Sequence, residues 1–252
     1  MEHLLEVCVD SLASARAAVA GGADRLELCS ALSVGGLTPY AALLAQIRAE
    51  SSIPVRCLMR PRPGDFLYTP EEIDLMCAQI PVLRQAGADG FVVGVLTAEG
   101  TLDTDATHRL IEAAGPDAAL TLHRAIDVSR DPVETYRAAA ALGIDTVLTS
   151  GAAACCRDGR AVLASLLAER DRTNGPEVLI GAGVNADVIR ELRHVLPRPR
   201  AFHMSGKTER ESGMMFRREG VPMGLPGLDE WHIQQTSASA VRAARQALDE
   251  SV

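Results

Sequence analysis

The sequence predicts a (β/α)8 barrel, the TIM-barrel arrangement, as one domain over residues 1–252. Three observations predict it. Eight short runs rich in Val, Leu and Ile recur with helical stretches between them, the pattern of parallel strands buried on both faces and joined by crossover helices. A Gly-to-Asp signal returns before the second, fourth and sixth runs. The first run lacks the G-x-G-x-x-G turn that an open doubly wound sheet would carry there.

LEVCV, from residue 5, is the first strand, and RLELC, from residue 25, nearly repeats it. Each holds a carboxylate and a thiol two residues apart, so the strand period sends Glu6 and Cys8 to one face, and Glu27 and Cys29 likewise. VRCLM, from 55, puts Cys57 on the face of Met59 and away from Arg60. PEEIDLMCAQIPVLRQAG is a helix, with Pro70 at its start, acids in its first turn and Cys77 in its body. GFVVG from 90, ALTLH from 119, TVLTS from 146, VLIGA from 178 and AFHMS from 201 complete the eight strands. In AGGADRLEL (20–28), AGADGFVV (86–93) and LGIDTVLT (142–149) a glycine ends a helix and an aspartate leads into a strand. These positions lie at the bottom of a barrel, where such features serve stability. Residues 206–235 fit neither period and are expected to form a loop or arm near the barrel mouth or at a subunit interface.

Composition narrows the function. Apolar residues at 47% and charged residues at 23% are ordinary for a globular protein with a core. A net charge of −8 and only 3% aromatics argue against nucleic acid or an anionic membrane as partner. The start, MEHLLEVCVD, has no basic region followed by an apolar one, and no run approaches the roughly 18 apolar residues of a spanning helix. A cytoplasmic location is expected. The cysteines at 8, 29, 57, 77, 155 and 156 are then reduced, serving as core, metal ligand or nucleophile. Lys207 is the sole lysine, which removes most Schiff-base routes.

In a barrel of this kind the C-terminal strand ends carry function. Here they bear Glu6 and Cys8, Glu27 and Cys29, Arg60, Arg62 and Asp65, His123, Arg124 and Asp127, Thr149 and Ser150, and His203 and Ser205. Inward acids, arginines and histidines need partners, so the set is either a self-paired polar plug or a site. Neighbouring strands about 4.8 Å apart allow Cys8 and Cys29 to reach one soft ion, although a lone strand cysteine also serves as a small buried apolar residue. Cys57 and Cys77 read as core, and Cys155 and Cys156 as solvent-facing residues of the loop after the sixth strand. The glycines of IGAGVNADV and HMSGK suit a backbone grip on phosphate.

EVCVDS, GGADRLELCSALSVGGLTP, RPRPGDFLYTPEEI, TLHRAIDVSRDP, VLTSG and SGMMFRREGVPMG resemble, in order and over essentially the whole chain, the CutC family of copper homeostasis proteins. The resemblance implies a cytosolic (β/α)8 barrel, a homo-oligomer that binds copper as Cu(I), with Cys8 and Cys29 as the metal ligands. The chain departs from the family pattern at Pro63, where the loop usually reads RPRGGDF, and at GAGV, usually GGGI.

A copper carrier has no evident need for the acids, arginines and histidines around the same mouth. The alternative is an enzyme acting on a small anionic metabolite. Arg60, with Arg62 or Arg124, would hold the anion, and Glu27 would be the base. His123 would be the complementary acid, with a pKa near working pH, and Glu6, His203 and Ser205 would complete the substrate site.

Overall fold

The computed structural model describes residues 3–251 except Pro222, Leu225, Pro226 and Leu228. Eight parallel strands close into a barrel, each paired with the next and the eighth with the first. They are β1 (Leu4–Val9), β2 (Arg25–Leu28), β3 (Val55–Leu58), β4 (Gly90–Val93), β5 (Ala119–Leu122), β6 (Thr146–Thr149), β7 (Glu177–Ile180) and β8 (Ala201–Met204). The helices around them are α1 (Leu12–Gly21), α2 (Ala41–Glu50), α3 (Pro70–Gln85), α4 (Thr104–Ala114), α5 (Pro132–Ala141), α6 (Arg160–Thr173), α7 (Ala186–Val195) and α8 (Ala238–Asp249). All eight expected strands form, and the (β/α)8 class holds. No helix among the described residues is long and apolar enough to cross a membrane.

Local chemistry starts the helices where the sequence signals them. Thr69 and Glu72 form a reciprocal capping box ahead of Pro70, and Asp103, Asp131, Asn185 and Ser237 each accept a first-turn N–H. The period of two then divides the strands. Outward residues such as Leu5, Val7, Leu26, Leu28, Cys57, Met59, Phe91 and Ile180 join the helix faces in one large apolar cluster. The barrel interior instead holds two small apolar groups, Cys8, Cys29, Leu58 and Val92, and Leu148, Leu179 and Ala201. Charge lies between them. Gly90 has no room for a side chain, because a Cβ there would sit 2.2 Å from the Ala119 carbonyl oxygen on β5.

The repeated Gly-Asp signal is a clamp. Gly22, Gly87 and Gly143 all take left-handed backbone. The aspartate that follows each of them bonds to the preceding strand at two points. Asp24 accepts the Leu5 N–H at 2.7 Å, Asp89 the Val55 N–H at 2.7 Å and Asp145 the Leu120 N–H at 2.5 Å. Each also donates its own N–H to the carbonyl of that same residue. An arginine backs each carboxylate: Arg245 for Asp24, Arg48 for Asp89 and Arg56 for Asp145.

The stretch 206–235 contributes an antiparallel hairpin, β9 (Lys207–Glu211) with β10 (His232–Thr236), placed between β8 and α8. Apart from Ile233 both strands are polar on both faces, which hides them from a search for apolar alternation. Thr236 ties the hairpin back to the barrel, its N–H donating to Ser14 Oγ and its hydroxyl to the Ser205 carbonyl. The expected arm also includes Pro222, Leu225, Pro226 and Leu228, which lie outside the described residues.

Candidate functional site

The floor of the barrel is a salt-bridged layer. Glu6 on β1 is fully buried, accepts from Arg25 Nε at 2.5 Å and lies 2.8 Å from His203 Nδ1. Burial works against the Glu6 carboxylate, but Arg25 and His203 outweigh it and hold the pKa down to about 2. Arg56 crosses to Thr121, Thr146 and Asp145 at 2.5, 3.1 and 2.7 Å. This much of the expected polar set pairs with itself. Glu6 sits beneath the cavity at the mouth and does not line it.

Above the floor lies a cavity of about 450 Å³, in the range of small-molecule sites. Of the expected residues Cys8, Glu27, Arg60, His123, Arg124, His203 and Ser205 line it. Arg62 does not. Its guanidinium bonds Glu72 and Asp65 and stacks over Tyr68, fastening the β3–α3 loop to the start of α3. Sequence reasoning gave no role to Arg25, Phe66 or Lys207. Arg25 could have been found by strand parity, since it shares the inward face of Glu27; Phe66 and Lys207 sit on loop and hairpin, where no period applies.

Cys8 Sγ, a Glu27 carboxylate oxygen and a His203 ring nitrogen lie within 4.8 Å of one another. The barrel register explains the meeting: Cys8 pairs with Glu27 across β1 and β2, and Glu6, one inward position below, pairs with His203 across β1 and β8. His203 Nε2 is 3.8 Å from Glu27 Oε2, while Nδ1 is held by Glu6. Burial disfavours the imidazolium, yet Cys8, Glu27 and Glu6 together raise the His203 pKa well above its ordinary value. Burial raises the Glu27 pKa, with His203 opposing it. Cys29 stands one inward position above Glu27 and donates through Sγ to Glu27 Oε2 at 3.4 Å. Burial and Glu27 push its thiol well above the ordinary range.

The opposite wall carries Arg60 and His123. Arg60 is 8% exposed, and His123 4%. The His123 Nδ1 accepts the Ala125 N–H at 3.1 Å, and Gly94 leaves it room, since a Cβ there would sit 2.4 Å from the ring. Burial first, then the Arg60 charge, lower the His123 pKa to about 3. The expected acid near working pH is therefore corrected: burial and Arg60 hold the His123 pKa far below the working range, whereas the His203 pKa is raised. Arg124 is half exposed and bonds Asp127 and Ser150. Asp127 also accepts from Thr149, Ser150 and Ala152, which fixes the end of β6.

Two expectations about loops change. Cys156 is buried in the outer core, and Cys155, partly exposed, donates to Asp158; the pair does not face solvent together. The glycine turn after β7 does not line the cavity, and the first turn of α7 is capped by Asn185. Ser205 lines the mouth, but its carbonyl serves the hairpin.

The CutC family model matches residues 3–207, from β1 to the first residue of β9. A Chromobacterium violaceum family protein CutC is 43% identical over 252 residues, covering all of both chains. One from Vibrio parahaemolyticus is 40% identical over 245 residues, 97% of this chain and 98% of its own. The crystal structure of a Streptococcus agalactiae CutC, named for copper homeostasis, superposes with a TM-score of 0.73 at 26% identity, covering 81% of this chain and 98% of its own. A 2,3-dimethylmalate lyase shares the barrel alone, with a TM-score of 0.54 at 19% identity, over 81% of this chain and 74% of the lyase.

Proposed function

The chain belongs to the CutC family, and from that membership we propose that the mouth of its barrel binds copper as Cu(I), with Cys8, His203 and Glu27 as the ligands. The observation that carries the reading is the convergence of thiol, imidazole and carboxylate within 4.8 Å. Thiolate and imidazole are donors that copper accepts, and the carboxylate extends the set toward zinc. Glu6 supports the assignment: a carboxylate on Nδ1 fixes the ring and leaves Nε2 to face the ion, as second partners of metal-bound histidines do. The name of the Streptococcus agalactiae relative supports copper as the cargo.

In this reading Cys29 positions Glu27, whereas the two-thiolate site implied by the resemblance needs Cys29 to exchange Glu27 for the ion. Anaerobic Cu(I) titration against a competing chelator separates the versions. Cys8→Ser and His203→Gln should each weaken binding by about 100-fold, with Cys29→Ser much milder. Equal loss in both cysteine variants favours the two-thiolate site. Unchanged affinity in all three ends the copper reading.

One observation favours the enzyme alternative. Glu27 is a buried carboxyl with a raised pKa at the cavity wall, beside a histidine whose pKa is also raised, which suits a general base. In that version His203 takes the acid role first given to His123. Exposed Met214, Met215 and Phe216 on the arm support an interface with a second copy of the chain.

A further inference from the structure

We propose that the same mouth is a receptor site for a small carboxylate, its two oxygens received by Arg60 and His123 on the wall opposite the Cys8–Glu27–His203 cluster. The proposal stands on charge and hydrogen-bond accounting and does not depend on a metal.

Among the described residues, the ionic groups of the floor and mouth mostly neutralise one another. Glu6 takes Arg25, Asp145 takes Arg56, Asp127 takes Arg124, and Glu27 faces His203. Arg60 has no carboxylate. Its Nη1 donates to the carbonyls of Val34 and Gly36 at 3.0 Å each and its Nη2 to that of Gly64 at 2.9 Å. Three neutral acceptors from two loops therefore aim a buried guanidinium without cancelling its charge, an arrangement that leaves a counter-ion to be supplied from outside. Its Nε–H has no partner in hydrogen-bond geometry, and the nearby Tyr68 hydroxyl is likewise unpartnered.

His123 adds the second donor. Because Nδ1 accepts from the Ala125 backbone, the ring proton lies on Nε2, and Nε2 is buried without a partner. Buried donors in native proteins are nearly always matched, so two orphans on one cavity wall point to an absent acceptor. The Phe66 ring touches both residues, 4.8 Å from the His123 ring centre and 5.3 Å from the Arg60 guanidinium carbon. Phe66 thus packs against both donor-bearing side chains at the cavity wall.

The number and kind of donors select the ligand. Two orphan N–H groups, one on each side chain, match the two oxygens of a carboxylate, and a charged donor strengthens one of the two bonds. A phosphate would want more donors than the pair, and Glu27 and Asp127 in the walls repel a dianion. Leu32, Val34, Leu58 and Leu148 line the remainder of the cavity, suiting a short aliphatic body, and Lys207 adds a cation at the wall.

The test titrates metal-stripped protein with sodium butyrate at constant ionic strength, read by calorimetry and by the imidazole 1H–15N resonances. Saturable binding with a downfield shift of the His123 Nε2–H is expected. Arg60→Met should lose at least about tenfold in affinity, and Lys207→Gln, on an exposed residue that cannot threaten folding, should weaken binding severalfold. No saturation by butyrate or acetate, or butyrate binding without movement of the His123 signal, overturns the proposal. Binding of inorganic phosphate in place of either carboxylate also overturns it and assigns the pocket to phosphate.

Discussion

His203 and Glu6 are joined across the seam where β8 meets β1, Nδ1 to Oε1 at 2.8 Å. The contact couples the stability of the barrel to the chemistry of its mouth, because the same imidazole turns its other nitrogen to Glu27. It also sets the direction of two titrations.

Glu6→Gln should cost about 3 kcal/mol in urea unfolding at neutral pH, since it leaves Arg25 buried without a counter-charge. A stability loss under about 1 kcal/mol would show that Arg25 finds another acceptor.

The pH dependence follows from the two shifts. Glu6 is depressed to about 2, so its contribution is complete above the ordinary carboxylate range, near 4.5, and is lost as pH falls toward 2. His203 is raised, so its contribution is complete below 6.5 and is lost only as pH climbs through the raised folded value. Urea midpoints measured from pH 2 to 10 should plateau between these limbs, and Glu6→Gln should flatten the acid limb. An acid limb of unchanged steepness in the variant would assign it to other carboxylates.

His123 and His203 should separate in an imidazole NMR titration. His123, held down to about 3 by burial and Arg60, should stay neutral from pH 5 to 8, while His203 stays charged across neutrality. A midpoint near 6.5 for either ring contradicts the geometry.

The barrel was legible in the sequence because its cause is local. Strand parity and the Gly-Asp repeat act within a few residues, so LEVCV and RLELC already told which side chains point inward. Convergence at the mouth was partly legible for the same reason: Cys8, Glu27 and His203 each occupy inward positions. What parity could not supply was distance across the seam. His203 reaches Glu6 only because β8 closes on β1, and the state of His123 is set by Arg60 from a different strand. Arg62 misled because it shares a motif with Arg60 yet turns to Glu72.

Asp145→Ala should be costly for a residue so far from the mouth. It removes the acceptor of the Leu120 N–H and strips the buried Arg56 of its carboxylate, a loss of about 1.5–3 kcal/mol in unfolding free energy. Asp24→Ala, whose Arg245 keeps Asp249 as a partner, should cost less. Equal losses would mean that the backbone bond alone matters.

Lys207 opens the hairpin and lines the cavity, and no other lysine occurs in the chain. A protease that cuts only after lysine has a single place to act, and severs the barrel strands from the hairpin's remainder and α8. Amine-directed dyes and crosslinkers attach internally at the same point, so the mouth carries its own built-in labelling address, and whatever shields that amine announces itself as a slower reaction.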